Sequence, residues 1–208
     1  MNELPHCKYI IKQLFFLVIT ASLSLPSYAQ PFAANLAQAA LARTEHQVRY
    51  DAAYIKLVYP NGDVPSNTGV CTDVIIRSYR QLGIDLQQLV HEDMSKHFDQ
   101  YPSKRIWGLN KPDSNIDHRR VPNLKTYFRR FGQSLTISYQ PQDYKMGEIV
   151  TWILPGNLPH IGIVVSNVSK ENYGPLIVHN MGAGPQLDEM LFDFKITGHY
   201  RFSSEVKD

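Results

Sequence analysis

GEIVTWILPGNLPHIGIVVSNV, residues 147–168, contains two runs, GEIVTWIL and HIGIVVSNV, dense in the β-branched and aromatic side chains that favour strands. SLTISY (134–139) precedes them, and PLIVHNM (175–181) and GHYRF (198–202) follow with the same character. The chain upstream reads differently. FAANLAQAALARTEHQV (32–48) is rich in helix formers, with Phe32, Leu36, Ala40 and Leu41 near one face. Over 70–82 the spacing again predicts a helix: Cys71, Ile75, Tyr79 and Leu82 share a side, and Gly83 ends it. LQQLVHEDM (86–94) suggests short helical turns. VPNLKTYFRRFG (121–132) is a further helix, with Pro122 in its first turn, Leu124, Tyr127, Phe128 and Phe131 on its apolar side and Gly132 as its stop. YPNGDVPSNTG (59–69) and YPSKRIWGLNKPDSNIDHRR (101–120) read as loops. Helices first and strands afterwards predict an α+β fold with an antiparallel sheet.

The 208 residues suit one core, and 43% hydrophobic with 19% charged residues describes an ordinary globular chain rather than a disordered one. A formal charge of +2 gives no reason to invoke nucleic acid as a partner. Lys8 and Lys12 precede the apolar run LFFLVITASLSL, and SYA at 27–29 supplies small residues for a signal peptidase. Residues 1–29 are therefore expected to be a signal peptide, with Gln30 first in the mature chain. The run is too short for a comfortable membrane span. Cys7 lies ahead of it, badly placed for lipidation. The expected location is outside the cytoplasm, in the periplasm or cell envelope, with no stable span after processing. Residues 30–49 then form an N-terminal helical segment and 50–208 the functional domain.

Loss of the leader removes Cys7 and leaves Cys71 unpaired in an oxidising compartment, where structural cysteines come in pairs. With Asn67 or Thr68 as cap, Cys71 falls in the first turn of its helix. There the helix dipole and free N–H groups favour a thiolate and lower its pKa. The Cys71 N–H could also serve an oxyanion. A small buried cysteine is the plain alternative, and the thiol alone does not separate the two. A base would. His46, His91, His97 and His118 have no partner visible in the sequence and read as surface or structural. His160 and His179 both lie in strands. A hairpin turning near 169–172 puts His160 opposite His179, whereas a one-residue slip puts it opposite Asn180. Ile161, Ile163 and Val165 share the core face, and His160, Gly162 and Val164 share the other. His160 is expected to point toward a helix N-terminus across the sheet, with His179 or Asn180 behind it, as nucleophile, base and orienting group require. Zinc on Cys71, His160 and His179 is the competing use, but no CxxC or HExxH pattern supports it. No metal or cofactor is expected.

In order along the chain, GVCTDVI, GEIVTW, HIGIVV and IVHN resemble the papain-like superfamily of bacterial cell-wall cysteine peptidases, the NlpC-type hydrolases. More closely, GDVPSNTGVCTDVIIRSYRQLGIDLQQLVHEDM, NIDHRRVPNL, HIGIVVS, VHNMGAGP and GHYRF resemble a bacterial exported family, domain of unknown function 1287, over 50–202. The resemblance implies a papain-like core with a catalytic helix packed on an antiparallel sheet. By position it implies Cys71 as nucleophile, His160 as base and His179 as orienting group. It also implies hydrolysis of an amide in peptidoglycan stem peptides or in the link joining them to sugar. Thr72 and Asp73 depart from the small residue or Ser that usually follows the cysteine. Asp73 could cap the helix, but its charge opposes a thiolate.

Substrate contacts are expected from Asp63 in the loop before Cys71, with Tyr59 and Asn61, and from Asn180. In DHRR (117–120), Arg119 and Arg120 are either carboxylate-binding groups or solvated charges, as Arg pairs bidentately with carboxylates. Trp107 could stack on sugar, Trp152 reads as core, and HNMGAGP supplies a flexible rim. Two other functions use the same fold: a catalytically silent wall-binding module, and a thiol acyltransferase.

Overall fold

The computed structural model describes residues 32–166 and 174–203. The expected signal peptide, 1–29, and the expected hairpin turn, 169–172, lie outside them. The chain forms α1 (Phe32–Arg43), β1 (Arg49–Tyr50), β2 (Thr68–Gly69), α2 (Cys71–Gln81), α3 (Leu86–His97), α4 (Ser103–Trp107), α5 (Val121–Phe131), β3 (Gln133–Ser134), β4 (Ile149–Leu154), β5 (Leu158–Ser166), β6 (Leu176–Asn180), β7 (Pro185–Asp188) and β8 (Lys195–Arg201). Strands β3 to β8 make one antiparallel sheet in the order β3-β8-β4-β5-β6-β7. β1 and β2 pair separately and in parallel. The expected α+β fold with an antiparallel sheet is what the chain adopts.

Alternation along the strands divides the core in two. Ile149, Ile161, Ile163, Val165, Val178 and Tyr200 face the helices, where they meet Leu36, Ile75, Tyr79, Leu124 and Phe128. Val150, Trp152, Val164 and Ile177 face the other way, against Tyr144, Met190 and Leu191. Each fully buried Ile, Leu or Phe contributes ~1.5–3 kcal/mol relative to leaving it in water. Helices α1 and α2 pack on each other and on β5. The N-terminal helical segment thus shares the main core instead of standing apart from it.

Helix α2 stops where Gly83, at φ +80, turns the chain and donates its N–H to the Arg80 carbonyl at 2.9 Å. Helix α3 is longer than the short turns expected for this stretch. Asp85 caps it by accepting from Gln87 N at 3.0 Å, and Val90 and Met94 hold one face in the core. SLTISY contributes only Ser134 to a strand, since its later residues leave the sheet. Phe131, expected on the apolar side of α5, is 46% exposed at the helix end, where the covering elements run out. Strand β7 has no counterpart in the sequence reading. Among the described residues, no helix is long and apolar enough to cross a membrane.

Candidate active site

Strand β2 runs through an extended Val70 into the first residue of α2, Cys71. The cap comes from within the helix: Val70 N donates to Asp73 Oδ2 at 2.7 Å. Thr68, an expected cap, instead donates to the Pro65 carbonyl at 3.0 Å. Asp73 is held by Arg119, whose Nε and Nη2 donate to its two carboxylate oxygens, each at 3.0 Å. Both side chains are buried. Arg119 also donates to the carbonyls of Asp51 (3.3 Å) and Ala53 (3.4 Å). The suggested role for Arg119 on a substrate carboxylate is therefore corrected, because its guanidinium is already spent on Asp73 and on backbone oxygens. Losing one partner of such a buried pair costs about 3–5 kcal/mol.

The Cys71 side chain is a free thiol, 5% exposed. Its pKa was expected to fall, but burial pushes it up to about 12, and the Asp73 charge adds to the rise. Three backbone N–H groups, those of Ile161, Thr72 and Cys71 itself, oppose this and are outweighed. The helix end loses its advantage because an internal carboxylate already occupies it and water is excluded. The Ile161 N–H matters for position, since it sets the sulfur beside the backbone of the strand that carries His160. Tyr50 stands near the same helix end, its phenol raised by burial and then by Cys71 and Asp73.

On the sheet, Gly162 is paired with His179, two residues along from the direct His160–His179 pairing considered first. A shift of two keeps every side chain on its face, so the two histidines meet diagonally. His160 Nε2 lies 3.1 Å from His179 Nδ1, and His179 Nε2 lies 2.9 Å from Asp188 Oδ2. Asp188 sits on β7, opposite Ile177 and diagonal to His179. Three adjacent strands thus carry a chain of contacts from His160 to Asp188. It lies on the face of Trp152, whose ring centroid is 6.0 Å from that of His160. Burial, and then the neighbouring His179, lower His160 to about 3. Burial also lowers His179, with Asp188 pulling the other way. Both shifts favour the uncharged rings. Among the described residues, no direct hydrogen bond joins the His160 ring to the Cys71 sulfur; they are neighbours through the Ile161 backbone.

The other expected contacts resolve differently. Asn180 is buried on the helix side, its Nδ2 3.4 Å from the Gly69 carbonyl and its Oδ1 accepting from Gly182 N at 3.0 Å. It braces the approach to Cys71 and does not reach His160 from behind. Asp63 pairs with Arg77 at 2.9 Å and Arg80 at 3.2 Å, tying the loop to α2. Arg120 pairs with Asp117 and lies 4.2 Å over the Trp107 ring. Trp152 is core, donating to the Leu191 carbonyl at 2.9 Å. His118 is buried, and burial lowers it to about 3. Ala183, Gly184 and Pro185, in the rim after His179, line a cavity of about 780 Å³ with His46, Arg49 and Asn67. Among the described residues, no three His, Cys, Asp or Glu side chains are grouped to hold a metal ion. The sequence reading missed Asp188 and Tyr50, and the only signal for either is strand pairing that residue spacing does not reveal.

The family model described as "Domain of unknown function (DUF1287)" matches residues 37–202. The chain belongs to the DUF1287 family. The match takes in the catalytic candidates, the sheet and most of α1. A relative, the Uncharacterized protein YijF of Escherichia coli (strain K12), is 52% identical over 153 residues, covering 74% of this chain and 73% of its own length.

Proposed function

We propose that this DUF1287 protein is an exported thiol hydrolase with a papain-like, NlpC-type core that cleaves an amide bond in peptidoglycan stem peptides. The observation that carries the reading is the His160–His179–Asp188 chain, which begins one residue from the N–H that faces the Cys71 sulfur. His160 removes the thiol proton as sulfur attacks the amide carbonyl. The N–H groups around Cys71 receive the developing oxyanion. The proton passes to the leaving amine, a thioester remains, and water drawn in by His160 releases the acid and restores the thiol. A thiol pushed up to about 12 beside an imidazole lowered to about 3 disfavours a standing ion pair. Transfer concerted with attack needs no free thiolate in the closed site. Binding of substrate must bring sulfur and imidazole into direct contact.

The test is the mature protein incubated with isolated cell wall, with muropeptides identified by mass spectrometry. New fragments are expected; Cys71→Ala should abolish them and His160→Ala should reduce them by about 10²–10⁴. Fragments that persist in both variants would overturn the reading.

One observation favours a second reading, a catalytically silent wall-binding module: the sulfur is 5% exposed and its thiol is held protonated. Iodoacetamide at neutral pH separates the two. Rapid alkylation of Cys71 that His160→Ala suppresses belongs to the hydrolase, and slow alkylation of both proteins belongs to the binder.

A further inference from the structure

We infer that Asp188 is a positioning residue that sets the tautomers of His179 and His160 and leaves the lone pair of His160 on Nδ1. Only the catalytic consequence rests on the hydrolase reading; the tautomers do not. A neutral imidazole carries one N–H and one lone pair, whereas a carboxylate only accepts. Asp188 Oδ2 is 2.9 Å from His179 Nε2, so that nitrogen bears the proton. His179 Nδ1 is then an acceptor. Its neighbour at 3.1 Å, His160 Nε2, must donate to it. His160 Nδ1 is left with the lone pair, and that atom is the base.

Without a carboxylate at the far end, the chain has no direction. Two neutral histidines in contact can donate either way, and the reverse order would put the only proton of His160 on Nδ1. Asp188 removes this ambiguity from the rim of the sheet. Its side chain is 48% exposed, so the charge keeps contact with water while both rings are buried. The pairing of Ile177 with Asp188 and of Gly162 with His179 turns this alignment into a property of the strands. Asp188 touches no reacting atom.

Two-bond proton–nitrogen correlation spectra of the purified, histidine-labelled protein at pH 7 test the assignment. Both His179 and His160 are expected as Nε2–H forms, and an Nδ1–H form of either in the native protein overturns the inference. Asp188→Ala should yield a measurable Nδ1–H share at both rings, and Asp188→Glu should return them toward Nε2–H. Unchanged spectra in Asp188→Ala overturn it. Should that variant fold poorly, Asp188→Asn serves, because its amide can donate and partly invert the chain. On cell wall, Asp188→Ala should lower kcat at least roughly tenfold with little change in KM. Native tautomers other than those stated, with wall cleavage intact, sink this inference and spare the hydrolase. Tautomers as stated, with no cleavage by the native protein, uphold it and sink the hydrolase.

Discussion

His199 and His179 stand on strands of one sheet, share a face, and each meets a carboxylate. His199 Nε2 lies 2.6 Å from Glu148 Oε2, and its Nδ1 lies 3.1 Å from the Thr136 carbonyl. Both of its nitrogens already face oxygen acceptors, so neither is free to meet a further partner. Its plane stacks on Tyr144 at 4.2 Å, and Glu148 is buried and also held by Arg201. In the His160–His179 arrangement one nitrogen faces another imidazole and the carboxylate sits half in water. The first arrangement ends in acceptors on both sides and can only hold structure. The second passes a donor direction along and leaves one nitrogen over, as a proton carrier requires. Nearness of a histidine to a carboxylate therefore says little; what the second ring nitrogen meets decides the use.

The sharpest way to break this comparison is to delete each histidine. His160→Ala should reduce wall hydrolysis by about 10²–10⁴, the range for losing a general base, with a stability loss of about 1–3 kcal/mol from the partner it removes from His179. His199→Ala should leave Cys71 alkylation in the folded fraction unaltered and act on stability. It takes one of three partners from a buried carboxylate, at a cost of about 1.5–3 kcal/mol by urea titration, beyond the packing of the ring itself. If His160→Ala melted the protein and His199→Ala silenced the thiol, the two roles would have to be exchanged.

Acid sharpens it next. Burial raises Glu148, but His199, the Lys145 N–H and Arg201 together hold it below the ordinary value of 4.5. Folding thus favours its ionised form. That stabilisation is complete above about 4.5 and is lost as pH falls through the lower folded pKa. His118 and His160 act in the same direction by another route. Each is lowered from 6.5 to about 3, so the unfolded chain binds more protons between those values. Stability should fall from about pH 6.5 downward, by a few kcal/mol before Glu148 contributes. His118→Gln should flatten the upper part of this decline in chemical-denaturation curves, and Glu148→Gln only the lower part. A curve flat from pH 6.5 to 4.5 would remove the buried neutral histidines from the account.

Much of the scaffold was legible because it rests on local periodicity. Helix α2 begins at Cys71 as its spacing suggested, and the alternation in HIGIVV separated Ile161, Ile163 and Val165 from His160 and Val164 as the strand does. The His160 ring, however, lies on the Trp152 face and not toward the start of α2 as expected. That alternation survives a two-residue change of register, so His160 and His179 were correctly placed on a common face although their pairing is diagonal. What could not be read depends on distant partners. PQLD has little strand character and follows a Gly-rich turn, so β7 and its Asp188 were hidden. Arg119 finds Asp73 from 46 residues away, which converts an apparent surface charge into a buried brace. The thiol pKa went the wrong way for a similar reason: a helix start is local, but the burial that outweighs it comes from a core in which α2 packs on α1, β5 and β6.

Gly162 offers the smallest effect and the most specific one. It lies between His160 and Val164 on the relay face, directly opposite His179. A Cβ there would stand 2.7 Å from Ile177 Cγ2, 3.0 Å from the Val178 carbonyl and 3.2 Å from His179 Cβ. The first contact can yield by rotation of Ile177, but the second is backbone and cannot. Gly162→Ala should therefore push β6 away from β5 at this point, costing about 1–3 kcal/mol. The same displacement lengthens the 3.1 Å contact between the histidines, so the variant should show mixed tautomers at His160 while Asp188 still holds His179. At His199, on the far side of β4, no change is expected. Spectra that move at His199 as much as at His160 would mean the sheet responds as a whole, and the distinction between the two histidine sites would lose its structural basis.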